Sequence, residues 1–510
     1  MKDLSKLFQN KYIWITIYLL AIGIPFIIGL RSIMLGSFPF WYDPARDFLL
    51  ALGNIEKLTL IGPTSGIPGI FYGPHWIWLI SFGLLFSHDP RVVIFIIQTI
   101  PYLLIVPLLL MSMPKLADRK VFVVLWIFFV LSFGLNYGTF PWNPHIAPFL
   151  FILLLFLLTK IRSKHLLRSD FLFMGVCGAI AGTLLNVHIS FGIGLTVGLI
   201  IYLLIDLLVT TINNKGSLRE RVMLLICFGI GFGLSLVPFL VFEQRHGFKQ
   251  VQTIITTLTA GQSVVSVQGL GKFEIIKGFF GRILALFQLP LAAFLGIIGV
   301  AIVEIYISIR NKKLSISFEE KKLLLLLFCI STSVLTIYLA SKNPVWSYHF
   351  IAVEVLFVFI SVLILKRTHY AFMIVAIWSV VVLFTQTGTF AKSFWDDPLR
   401  VSSLVNKEYI VNLIKNDAKN EPYDIFAYSP SIYIYEYAYL FNYLAEKEVS
   451  YDPGSKRSDS DLVYLILPPG SGAATEDFIS FRTPEKDYRT TKSWLIPDGT
   501  KVLKREIRVR

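Results

Sequence analysis

Tyr72-Gly73-Pro74-His75-Trp76-Ile77-Trp78-Leu79-Ile80-Ser81-Phe82-Gly83-Leu84-Leu85-Phe86 is apolar enough to enter a membrane but stops short of the length that crosses one. A spanning helix needs about 20 apolar residues to bridge the hydrocarbon core. Eleven other runs approach that length, at 12–30, 91–113, 121–138, 146–160, 171–188, 190–210, 222–242, 283–309, 323–341, 350–365 and 371–389. Whether 72–86 crosses decides the side on which every later loop lies. Read as a re-entrant or interfacial helix, it leaves the loops alternating in charge. One set carries Lys115, Arg119 and Lys120, then the clusters Lys160 to Arg168, Lys215 to Arg221, Arg310 to Lys322, and Lys366-Arg367. The other set, Asn136–His145, Val187–Ser190 and Ser341–Phe350, holds only Lys342. The positive-inside rule puts the first set and the N-terminus in the cytoplasm. Counting 72–86 as a span would invert every loop after it.

Composition agrees with a membrane protein. Hydrophobic residues make up 55% and charged residues 16%, where a soluble domain carries about a quarter charged. The net charge of +14 sits in short clusters between apolar runs, not in a groove-reading helix, so nucleic acid is not the expected partner. Cys177, Cys227 and Cys329 lie inside apolar runs without metal-ligand spacing and read as small buried hydrophobes. The basic segment Met1–Lys11 leads into a run too long for a signal-peptide h-region, which reads as the first span.

Three outer pieces follow: a first loop at 31–90, a second at 243–282, and a C-terminal tail at 391–510. The expected fold is an all-α polytopic membrane protein of about eleven transmembrane helices (1–390) with a small extracytoplasmic α/β domain. In the tail, Tyr423–Tyr428 and Leu462–Leu467 read as strands around a helical stretch at Ser431–Glu446. In the second loop, Ala260–Gly271 reads as a mobile flap. Internal repeats, from which many secondary transporters are built, are not visible.

The first loop opens with Phe40-Trp41-Tyr42-Asp43-Pro44-Ala45-Arg46-Asp47-Phe48. Two readings stand. Asp43 is a suitable helix N-cap with Pro44 in the first helical position. It is equally a carboxylate presented at the membrane surface, able to take a proton from an incoming hydroxyl.

A long outer loop after the first span, an acidic residue at its start, a surface helix and then Tyr72-Gly73-Pro74-His75 make a layout that resembles the GT-C glycosyltransferases using polyprenyl-phosphate sugars. Protein O-mannosyltransferases and the aminoarabinose transferase of lipid A are the nearest branches. The resemblance covers about the first 390 residues in topology. It implies that Asp43 is the catalytic base and that the donor is a polyprenyl-phosphate-linked sugar. Relatives often carry a lysine for the lipid phosphate where this chain reads Tyr72 to His75, so His75 is the candidate substitute. Many relatives place an Asp at the outer end of the third span, where this chain has Asn143, which can hydrogen-bond a sugar but cannot act as a base. No loop joining two spans carries the Asp-x-Asp-like pair of the metal-dependent branch. The reading therefore requires no cofactor and does not call for a divalent metal, without excluding one.

Glu243-Gln244-Arg245-His246-Gly247-Phe248-Lys249 ends the seventh span. Arg245 and Lys249, four apart, are expected on one helix face, either as snorkelling anchors or as phosphate ligands. The resemblance implies that this loop supplies a basic residue to the lipid phosphate: Arg245 first, His246 second.

Six of the eight histidines fall on the outer side: His75, His88, His145, His188, His246 and His349. None has zinc-like spacing. They read as single surface histidines or as the rim of a shared cavity. Outer tryptophans such as Trp142 read as an interfacial belt, some able to stack on a sugar. Glu354 lies about one turn inside the tenth span, where an ionisable group is by default functional; it is expected to orient Arg245 or another cation. Tyr42, Arg46, Asp47, Trp142, Asn143, His145, His188, His349, Glu354 and Glu243 complete the candidate sugar- or acceptor-binding set.

The reading is an inverting glycosyltransferase of the plasma membrane, with an acceptor glycan, lipid or protein outside the cytoplasm. A lipid-linked sugar flippase is the alternative, though it calls for polar residues near the midplane. A non-catalytic scaffold is another.

Overall fold

The computed structural model describes residues 16, 23, 27–65, 69–104, 116–131, 138–162, 166–212, 217–259, 270–311, 316–341, 345–395, 399, 403–419, 421–429, 433–452, 454, 458–470 and 472–508. Eight described helices are long and apolar enough to cross a membrane. They cover Asn143–Lys160, Arg168–Val187, Ile189–Ile212, Leu218–Arg245, Leu291–Arg310, Phe318–Ala340, Ser347–Leu365 and His369–Gln386. The other expected spans, 12–30, 91–113 and 121–138, lie partly outside the described residues.

The expected span 283–309 is corrected. Helix Lys272–Phe287 stops at Gln288, which takes φ 51, and a new helix runs from Leu291 to Arg310. Pro290 disfavours helical backbone in the residue before it, which breaks an otherwise continuous apolar run. The segment between helices Leu218–Arg245 and Leu291–Arg310 accordingly holds helices Lys249–Thr259 and Lys272–Phe287. Most of the expected flap, Ala260–Gly271, lies outside the described residues.

The stretch at 72–86 forms a ten-residue helix, His75–Leu84. At about 1.5 Å per residue it reaches about half the hydrocarbon thickness. It packs on the surface helix Tyr42–Glu56, where Asn54 Nδ2 donates to Ser81 Oγ at 2.8 Å and Ser81 Oγ donates to the Ala51 carbonyl at 3.0 Å. Helices Arg168–Val187 and Leu218–Arg245 meet through glycines. A Cβ at Gly178 would fall 2.0 Å from the Phe228 carbonyl oxygen, and one at Gly231 would fall 1.8 Å from that of Gly175. Small residues let membrane helices approach this closely. Cys177 and Cys329 are buried and Cys227 is half-buried; all three are free thiols.

The C-terminal region holds a four-stranded sheet in the order β1-β2-β4-β3. β1 (Asp424–Ala427) pairs parallel with β2 (Leu462–Leu467); β4 (Lys501–Ile507) pairs antiparallel with both β2 and β3 (Tyr488–Leu495). Helices Leu404–Ala418, Tyr435–Ala445 and Ala473–Arg482 cover it. This region shares a core with the first loop. Tyr439 is fully buried with its ring 5.7 Å from Phe40 and 5.4 Å from Phe48, and its hydroxyl donates to the His88 carbonyl at 2.6 Å. Arg91 pairs with Glu408 across the same junction. His88 thus braces the tail through its backbone.

The helices also sort the loops by charge. Lys160, Arg162, Arg221, Lys322 and Lys366 gather around one cavity. His145, His188 and His349 sit at the opposite ends of the same helices.

Candidate active site

The surface helix starts one residue before Asp43. Trp41 is its N-cap, and the Trp41 carbonyl accepts the Ala45 N–H at 3.0 Å. Asp43 therefore makes no cap hydrogen bond, which corrects the capping interpretation. Pro44 fits within the first turn because an N–H there needs no helical partner.

Arg46 lies between two aspartates. Its Nη1 is 2.9 Å from Asp43 Oδ1, and its Nη2 and Nε donate to Asp47 Oδ1 at 2.8 and 2.9 Å. The Trp76 indole N–H donates to Asp47 Oδ2 at 2.9 Å. Asp47 is fully buried with both oxygens engaged, while the Asp43 side chain keeps 22% of its surface exposed. Burial raises Asp47 to about 6, against the pull of Arg46 and the Trp76 hydrogen bond. Burial also raises Asp43 above the ordinary carboxylate range, again opposed by Arg46. Burial works against the Arg46 charge but is outweighed by its two carboxylates, so the guanidinium stays charged. Identical residue types four apart thus separate into a tied anchor and a partly exposed carboxylate.

Tyr42 turns toward the tail, with its ring 4.9 Å from Tyr435. The segment after the surface helix folds back on itself: Gly62 N donates to the Tyr72 carbonyl at 2.8 Å and Tyr72 N to that of Pro63 at 2.9 Å. Gly73 N then donates to the Asn186 carbonyl at 3.0 Å, seating the segment on the end of helix Arg168–Val187. A side chain at Gly73 would collide with Asn186. The Tyr72 hydroxyl is pushed up by burial first, then by Tyr348, Asp43 and Asp47, with Arg46 opposing. His75 is half-buried and its pKa is lowered to about 4 by burial. At neutral pH it is uncharged and offers a hydrogen bond rather than the cation a lysine would supply.

Four chain segments converge here. Trp41 stacks on Phe140 with ring centroids 6.5 Å apart, and Phe140 lies 4.9 Å from His145. Trp142 packs 5.4 Å from His145 and 5.1 Å from Tyr348, and His349 lies 4.4 Å from Tyr348 and 5.9 Å from His188. Asn143 is buried, and its Nδ2 donates to the Val187 carbonyl at 2.9 Å. It braces the turn. Among the described residues no three His, Cys, Asp or Glu side chains come together as a metal site.

The second constellation differs from its expected form. The spanning helix ends at Arg245, Gly247 and Phe248 take φ 67 and 57, and a new helix starts at Lys249. Arg245 and Lys249 therefore do not share a helix face, because left-handed residues at 247 and 248 turn the chain between them. Glu243 is fully buried and accepts the Val251 N–H at 3.1 Å, holding this turn. His246 Nδ1 faces the Phe242 carbonyl at 2.8 Å. A carbonyl can only accept, so Nδ1 carries a proton in this contact. Arg245 is exposed and forms no ion pair among the described residues. Gln250 joins this segment to the one that follows the surface helix: its Oε1 accepts the Phe71 N–H at 2.7 Å.

The cation beside Glu354 is Arg282, not Arg245. Arg282 Nη1 donates to Glu354 Oε1 at 2.9 Å, Nη2 donates to the Ser347 carbonyl, and the guanidinium lies 5.8 Å from the Phe350 ring centroid. Glu354 is fully buried. Sequence reading missed Arg282 because it ends a loop 72 positions before its partner. A cation on an amphipathic outer helix was the available signal.

The chain resembles several solved structures. The ArnT structure from Cupriavidus metallidurans bound to undecaprenyl phosphate aligns over 97% of this chain and 98% of its own, with TM-score 0.57 and 11% identity. The chain has the fold of ArnT. The apo ArnT structure from the same organism aligns over 96% and 97%, with TM-score 0.55 and 10% identity. An oligosaccharyltransferase from Archaeoglobus fulgidus, in complex with Zn and sulfate, aligns over 95% of this chain and 72% of its own, with TM-score 0.43 and 13% identity. No family model and no curated protein matches the sequence. The ArnT fold bears out the GT-C resemblance at the level of architecture.

Proposed function

We propose that this chain is an integral membrane glycosyltransferase that moves a sugar from a polyprenyl-phosphate donor to an acceptor on the outer side of the plasma membrane, with inversion. The observation that carries the reading is the separation of the two aspartates. Asp47 is fully engaged in holding the helix, whereas Asp43 keeps an exposed edge beside Arg46 at the meeting of the outer segments.

In the proposed step Asp43 takes the proton of the acceptor hydroxyl or amine. The freed electron pair attacks the anomeric carbon, and the bond from that carbon to the phosphate oxygen breaks from the opposite face. Its electrons leave with the lipid phosphate. Preorganised cations are often the largest catalytic contribution to such a step. Arg245, exposed and without a carboxylate partner among the described residues, suits this role better than Arg282, which is held by Glu354. His246 follows it in the chain, and Lys249 begins the next helix. Trp142, Tyr348 and the nearby histidines supply aromatic and polar edges for a sugar. The likeness to ArnT bound to undecaprenyl phosphate supports the donor class. The reading needs no cofactor.

Two divisions belong to the same proposal. The N-terminus and the basic loops face the cytoplasm, and 391–510 is an extracytoplasmic domain docked on the catalytic bundle of 1–390.

The test uses wild type and Asp43→Asn in detergent, a panel of radiolabelled polyprenyl-phosphate sugars, and membrane extract as acceptor. Transfer by the wild type, with loss in a variant that still binds donor, supports the reading. Equal transfer by both would remove Asp43 as the base. Donor binding without transfer by either would favour a flippase.

A further inference from the structure

A cavity of about 560 Å³ opens at the end of the bundle opposite Asp43. We infer that it binds the headgroup of an anionic phospholipid. The walls come from six of the spanning helices, and its polar groups lie at one end of them. Asp206 holds two cations, Arg221 at 3.2 Å and Lys322 at 2.8 Å. Glu320 likewise holds two, Lys366 at 2.5 Å and Arg367 at 2.6 Å. Glu319 also lines the cavity, so the lining carries three carboxylates against the five cations Lys160, Arg162, Arg221, Lys322 and Lys366, a positive surplus.

Lys160 and Arg162 account for the surplus. Both line the cavity, both are exposed, and neither side chain forms an ion pair among the described residues, although the Arg162 backbone N–H donates to Asp170 Oδ1 at 3.2 Å. Lys160 Nζ lies instead 5.2 Å from the Phe156 ring centroid. The deeper wall is apolar, with Leu203, Leu326 and Phe359 among its residues. Basic groups at the ends of spans stand at headgroup depth, where anionic lipids concentrate. An apolar wall continuing into the spans suits an acyl chain. Free phosphate shares the headgroup chemistry but has no use for that wall. A cavity that is cationic at its mouth and apolar within fits a phosphate-bearing amphiphile.

The test is native mass spectrometry of the full chain in detergent, titrated separately with dihexanoyl phosphatidylglycerol, dihexanoyl phosphatidylcholine and inorganic phosphate. One phosphatidylglycerol is expected to bind about tenfold more tightly than phosphatidylcholine, and Lys160→Glu with Arg162→Glu is expected to remove that preference. Both residues are exposed; if the double reversal does not fold, Lys160→Gln with Arg162→Gln is expected to weaken the preference in the same direction. A control reversal at the other end, Lys277→Glu, is expected to leave it unchanged. Equal retention of the two lipids, or wild-type binding by both charge variants, would overturn the inference. Inorganic phosphate occupying the site as tightly as the lipid would overturn the lipid assignment.

Discussion

The indole of Trp76 donates to Asp47 Oδ2 at 2.9 Å, joining a short apolar helix to the surface helix that carries Asp43. With Arg46 on the other oxygen, this bond makes Asp47 an anchor and leaves Asp43 partly exposed, as the proposed base requires. The two residues should therefore fail differently. Asp47→Ala removes a buried carboxylate from its cation and its indole, and is expected to cost about 3 kcal/mol of stability. Asp43→Asn is expected to cost less than about 1 kcal/mol, as for a partly exposed pair, while lowering transfer by about 10²-fold or more. Thermal unfolding in detergent, read beside the transfer assay, separates them. Equal destabilisation would contradict the division of roles.

The pH profile of transfer follows from Asp43. A base must be ionised, and burial holds the Asp43 pKa above its ordinary value despite Arg46. Transfer is expected to fall as pH drops through that raised value, at higher pH than an ordinary aspartate of about 3.9 would give. Arg46→Gln removes the charge that holds the pKa down. The acid limb should then move further up in pH, and a limb that stays in place would argue against Asp43 as the titrating group.

Arg282 and Glu354 form a buried pair near the Ser347–Phe350 turn. Arg282→Met takes this cation from a fully buried carboxylate and is expected to cost about 3–5 kcal/mol. Arg282→Met with Glu354→Leu removes both charges and should recover much of that loss. A double-mutant cycle on unfolding midpoints measures the coupling; additive effects would show that the pair is not energetically linked.

The contact between helices Arg168–Val187 and Leu218–Arg245 depends on the missing Cβ at Gly231. The atom that a new methyl would meet belongs to the Gly175 backbone, so no side chain can swing aside. Gly231→Ala is expected to destabilise the bundle by about 1–3 kcal/mol, as overpacking does. Gly229→Ala, where a Cβ meets nothing within 4 Å, is the matched control. Equal unfolding midpoints for the two variants would count against glycine packing at this crossing.

Much of the fold was legible because it is local. A run of about 20 apolar residues either crosses a bilayer or does not, and seven expected spans appear as helices of that kind, with an eighth shortened to Leu291–Arg310. β1 and β2 were visible as short apolar runs. β3 was not, because most of its side chains face solvent and leave no apolar alternation to read. The break at Gln288–Pro290 was carried by one proline inside a run whose hydropathy never drops.

The sequence by itself determined which segments are apolar, that 72–86 is too short to cross, and which loops carry the positive charge. Each follows from composition within a window of about 20 residues. Only the tertiary structure decided which aspartate is tied to Trp76, which arginine meets Glu354, and that Arg245 and Lys249 part company at a turn. Those outcomes rest on hydrogen bonds between residues distant in the chain and on left-handed backbone at single positions. Ion pairs and hydrogen bonds act over a few ångströms through space, so their partners are chosen by packing.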